Sequence, residues 1–75
     1  MIAKSRGGKH MLALEADDYK IKGVQGYSII DYQHGSSRGN FDAGTNLSEA
    51  KKKFKEEVEN WNKYNTALGK LHIVN

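Results

Sequence analysis

The sequence predicts a small α+β domain, an antiparallel β-sheet with elements in the order β-β-β-β-α-β packed against one amphipathic helix. Two observations predict it. From Asn46 onward, Leu47, Ala50, Phe54, Val58 and Trp61 recur at intervals of three and four, with Asn65 continuing the series, which draws one stripe along a helix. Before Asn46, short apolar runs broken by turn residues approach a period of two, the signature of strands.

The first predicted strand is residues 11–14, and Asp17-Asp18 can turn the chain after it. Residues 19–22 alternate Tyr19 and Ile21 with Lys20 and Lys22, as a half-buried strand does. Gly23 and Gly26 break this run before residues 27–33, where Tyr27, Ile29, Ile30 and Tyr32 are strong strand formers. A polar, glycine-bounded loop is expected over residues 34–39, with a short return strand at 40–43.

The helix is predicted to start at Asn46, a good N-cap, with Glu49 placed to complete a capping box. Asn60, Asn62 and Asn65 weaken it, and Gly69 follows as a stop, so it should end near residues 64–66 after about five turns. Phe54 and Trp61 are expected to anchor it to the sheet. Residues 71–74 are the last predicted strand.

Seventy-five residues suit one domain with a thin core. The absence of cysteine excludes disulfides, thiolate catalysis and Cys-based zinc sites. No apolar run approaches the ~20 residues of a spanning helix or a signal-peptide core, so no membrane association is expected and the cytoplasm is the default location. The net charge of +3 is unevenly placed: residues 1–10 hold three basic and no acidic side chains, while the rest is balanced. Residues 1–10 are therefore expected to form a flexible basic N-terminal arm, loosened by Gly7-Gly8, and residues 11–75 a single α+β domain. The His10-Met11 pair has the look of a cloning remnant, and the first eight residues are expected to be dispensable for folding.

His10, His34 and His72 fall in separate segments without ligand spacing, so neither a metal nor a cofactor is expected. His34 beside Ser36-Ser37 superficially offers the parts of a nucleophilic site, but one short loop on a one-helix sheet encloses little volume, and an enzyme is not expected. The glycines lack the spacing and lysine of a phosphate loop. Tyr27 and Tyr32 have opposite parity and should face opposite sides of their strand, which argues against a joint base-stacking platform.

The helix charges run against the macrodipole, with Lys51, Lys52, Lys53 and Lys55 early and Glu56, Glu57 and Glu59 late. A solvated face of unoptimised order accounts for this. The functional reading makes the helix start, its lysines and Arg38 of the preceding loop an anion or acidic-partner site. On that reading the partner- or anion-binding residues are His34, Arg38, Lys51, Lys52 and Lys55, gathered on one edge.

The stretch Gly39-Asn40-Phe41-Asp42-Ala43-Gly44-Thr45-Asn46-Leu47-Ser48-Glu49-Ala50, a hairpin arm running into a helix that opens on Leu-x-Glu-Ala, resembles the sheet-to-helix junction of HicB-type antitoxins. The chain departs from that family in lacking its proline-containing strand turn. The resemblance implies a partial double-stranded-RNA-binding-like fold that neutralises a protein partner, and it carries no site residue over.

The expected function is a small non-enzymatic protein-binding module, of the kind phages and mobile elements use to inhibit a host protein or antitoxins use to block a toxin. The alternative is nucleic-acid binding through the basic arm, Arg38 and the helix lysines.

Overall fold

A computed structural model describes residues 1–7, 10–18, 20–33, 35–64 and 69–74. It shows the predicted α+β class: strands β1 (Ala3–Gly7), β2 (His10–Ala16), β3 (Tyr27–Gln33) and β4 (Ser36–Gly44), helix α1 (Leu47–Tyr64), and strand β5 (His72–Val74). The five strands form one sheet in the order β4-β3-β2-β1-β5, antiparallel at every pairing. The first four make a meander, and α1 then carries the chain across one face to the far edge.

Strand alternation decides what α1 covers. Leu12 and Leu14 on β2 and Ile29 on β3 share one face, and they meet Ala50, Phe54 and Val58 from the helix stripe, with Ala43 and Leu71 completing the core. Burying each large apolar side chain contributes about 1.5–3 kcal/mol, so these few residues dominate stability. The helix begins as its sequence requires: the Glu49 N–H donates to Asn46 Oδ1 at 3.0 Å, and the Ala50 N–H donates to the Asn46 carbonyl at 2.8 Å. Near its other end, Asn62 donates to the Leu71 carbonyl at 3.0 Å and accepts from the Leu71 N–H at 2.7 Å, clamping α1 to the entry of β5. The helix was expected to end near residues 64–66, and of these 65 and 66, with 67 and 68, lie outside the described residues.

Three expectations are corrected. Within the expected flexible arm, residues 3–7 form β1, paired with β2 on one side and β5 on the other. The inward positions Ala3, Ser5 and Gly7 are small while Lys4 and Arg6 point out, so the alternation is genuine but lacks the bulky residues that announce a strand. Ser5 is fully buried, and its hydroxyl donates to the Leu12 carbonyl at 3.4 Å. A Cβ at Gly7 would overlap the Lys70 carbonyl oxygen, so the approach to β5 requires glycine there. His10, read as a possible remnant, is buried on β2 with 4% exposure.

The strand expected at 19–22 is absent among its described residues. Ile21 and Val24 instead form a two-residue hairpin closed over Lys22 and Gly23, whose φ angles of 52° and 76° match a type I′ turn. Tyr19 lies outside the described residues. The loop expected at 34–39 is mostly strand, because β4 starts at Ser36 and pairs with β3 through two register shifts.

Candidate functional site

β2 ends at Ala16, β3 begins at Tyr27, β4 ends at Gly44 and α1 begins at Leu47, so one end of the molecule carries both the β2–β3 connection, with its Ile21–Val24 hairpin, and the helix start. The hairpin is tied at its base. The Asp17 N–H donates to the Gly26 carbonyl at 2.9 Å, the Gln25 amide donates to the Asp17 and Gly26 carbonyls at 3.0 and 2.9 Å, and Ser28 donates to Asp17 Oδ1 at 2.6 Å. At the tip, Ile21 and Val24 exchange backbone bonds of 3.2 and 2.9 Å.

This hydrogen-bonded turn holds two β-branched apolar side chains in water: Ile21 is 72% exposed and Val24 51% exposed. With Gly26 and Thr45 they line an open, largely apolar concavity of about 320 Å³. Leu47, two residues beyond Thr45, is also exposed. Lys22 takes the positive φ that the first central position of a type I′ turn requires. Lys51 and Lys52 stand exposed on the first turns of α1 at the same end.

A second cluster lies under the later turns of the helix. His10 stacks on Trp61 with ring centroids 3.7 Å apart and planes within 10°, and its Nδ1 is 3.2 Å from Asp31 Oδ1. That separation is an ion-pair distance, but the N–H is not aimed along it, so no hydrogen bond forms. Burial lowers the His10 pKa below its usual 6.5, opposed by the Asp31 carboxylate. Because the folded state holds the His10 proton less well than the unfolded chain, its contribution to stability is complete above pH ~6.5 and declines as pH falls towards the lowered folded value. Wild-type protein should therefore lose stability as pH falls below about 6.5, and His10→Gln should flatten that slope. Equal slopes in urea titrations of the two proteins would show that His10 does not set it.

The structure does not gather the residues expected to share one edge. Arg38 is exposed at a bulge of β4, the residue left over where Ser37 pairs with Tyr32 and Gly39 with Asp31. It stands six residues from Gly44, or ~20 Å at strand rise, from the end where the helix starts. Lys51 and Lys55 are exposed on the helix flank that also bears Asn62. Asn62 bonds to the approach to β5, at the opposite edge of the sheet from β4. Lys53 is the lysine that faces β4, with its Nζ 3.8 Å from where a Cβ on Gly44 would stand. The long β4 explains the separation, since it carries the β3–β4 turn away from the helix start. His34 lies outside the described residues. Tyr27 packs against the core and Tyr32 lies on the other face, as their parity requires.

Among the described residues, no three His, Cys, Asp or Glu side chains are placed to hold a metal ion, and no helix is long and apolar enough to cross a membrane. Compared with models of protein families, with characterised proteins and with solved structures, the chain matches none. The HicB-type likeness of the β4-to-α1 junction gains no support from them.

Proposed function

We propose that the protein is a non-enzymatic binding module for another protein, docking through the hairpin end of its sheet. Ile21 and Val24 enter an apolar recess of the partner, and Lys51 and Lys52 meet its rim. The observation that carries this reading is the pair of exposed apolar side chains on a tied, preorganised turn. Exposed apolar surface is unfavourable unless a partner covers it, and a turn already closed by its own hydrogen bonds has less entropy to lose when that happens. Inhibition of a host protein by a phage or mobile-element product, or of a toxin by its antitoxin, is the class of action suited to such a surface on so small a scaffold.

Ile21→Asp/Val24→Asp is expected to leave thermal unfolding unchanged, because neither side chain belongs to the core. The same variant should weaken partner binding by ~100-fold or more, as loss of interface anchors does. The measurement is recovery of a protein from a lysate of the source cells by immobilised wild-type chain and by the variant. Titration with random-sequence DNA and RNA at two salt concentrations tests the nucleic-acid alternative. Binding that weakens steeply with salt would replace the protein-binding reading, and equal recovery by both chains would remove the hairpin from it.

A further inference from the structure

No described element covers the sheet face turned away from α1, and that face is not built like one meant only for water. Because Leu12, Leu14 and Ile29 point to the helix, Met11, Ala13 and Glu15 on β2 and Ser28, Ile30 and Tyr32 on β3 point outward. A solvated antiparallel face reads polar at such positions. Here its centre is Met11, Ala13, Ile30 and the Tyr32 ring. Tyr32 is in register with Met11, yet its hydroxyl donates to Glu15 Oε2 at 2.8 Å, four residues further along β2. The ring must therefore lie along the sheet past Ala13, which is 0% exposed. The Glu15 carboxylate, as the acceptor, holds the Tyr32 pKa above its usual 10.0.

Charge divides this face in two. Lys4 and Arg6 project from β1, in register with Ala13 and Met11. Glu15, Asp17 and Asp18 line a polar concavity of about 330 Å³ towards the opposite end. By strand spacing and rise the two groups are ~14 Å apart, and their midpoint falls close to Ala13. A two-fold axis through that point, lying in the interface and perpendicular to the line joining the groups, sets the cations of each copy on the carboxylates of the other, twice over.

We infer that two copies of this chain pair through the open sheet face, with Lys4 and Arg6 of each entering the acidic concavity of the other around a centre of Met11, Ile30 and Tyr32. The occupant is a second copy because the face carries its own complement. With roughly a dozen outward residues a side, about half of a standard interface, the dimer is weak and dissociates on dilution. The pairing uses neither Ile21 nor Val24, so it does not depend on the docking reading above.

The test is sedimentation velocity of the full chain from roughly 5 to 500 µM in about 50 and 500 mM salt. A monomer–dimer equilibrium that weakens with salt is expected. Lys4→Glu/Arg6→Glu makes the face acidic throughout, and Glu15→Lys/Asp18→Lys makes it largely basic. Each variant alone should dimerise at least ~tenfold more weakly, while an equimolar mixture should associate as a heterodimer. A wild-type chain that stays monomeric at the highest concentration overturns the inference. So does a dimer indifferent to both reversals, or a mixture that does not associate. Thermal melts check that each variant folds, and Asp18→Lys, at an exposed position, replaces the second variant if loss of the Glu15–Tyr32 bond unfolds it.

Discussion

Deletion of residues 1–7 is expected to abolish cooperative unfolding. β1 is an interior strand, and its loss removes the ladder with β2 from Ala3 to Gly7 and the ladder with β5 from Lys4 to Arg6. β5 would then have no neighbour in the sheet, and Leu71, buried at its entry, would lose the strand beside it. The Leu12 carbonyl would lose the Ser5 hydroxyl, and Ala3 would no longer cover the edge of the core. A domain of this size has about 4–11 kcal/mol of stability in all, so losing one strand of five and orphaning another exceeds what it can tolerate. Circular dichroism on heating should show a broad, non-cooperative change, with collapsed amide dispersion in NMR spectra. A truncated chain that melts sharply within a few degrees of the full chain would reinstate the flexible-arm reading.

Phe54→Ala is expected to be the most damaging single substitution, at about 3–5 kcal/mol, the range for truncating a buried aromatic. Phe54 is 3% exposed and sits midway along the helix stripe between Ala50 and Val58. Its ring fills the space between α1 and the Leu12, Leu14 and Ile29 layer, and no other large side chain of the stripe is as fully enclosed. Trp61, the other expected anchor, is only partly buried and rests on His10, so its truncation should cost less than that of Phe54. Urea midpoints measure both. A Phe54→Ala loss below about 1 kcal/mol would mean that the helix is not held to the sheet through this contact.

The legible parts of the fold were those with strong periodicity or capping chemistry. The Asn46 cap and the helix stripe specified where α1 starts and which face it buries, and the Tyr27-to-Gln33 run was found whole because β-branched and aromatic residues dominate it. β1 escaped because its inward side chains are Ala, Ser and Gly, whose burial depends on the helix and β5 rather than on their own hydrophobicity. The Tyr19-to-Lys22 alternation misled for the opposite reason: it has the right period, but Lys22 and Gly23 turn the chain before it can pair with a neighbouring strand.

The candidate site was less legible. Helix charge order is a one-dimensional signal, and it gave no hint that Arg38 lies at the far end of a nine-residue strand. His10 and Asp31 lie twenty-one positions apart and meet only through the β2–β3 register. The exposed tip had a local signature, a Lys-Gly pair between Ile21 and Val24, but the exposure of those two residues follows from how far the hairpin extends beyond the sheet.

Docking through the hairpin end is tested most directly by placing a photoreactive residue at position 24 and irradiating the chain in a lysate of the source cells. The predicted result is a discrete protein adduct, competed away by excess wild-type chain but not by Ile21→Asp/Val24→Asp, and absent when the same group stands at position 59 on the outer helix face. Adducts that disappear on nuclease treatment, or that form equally well from position 59, would contradict it.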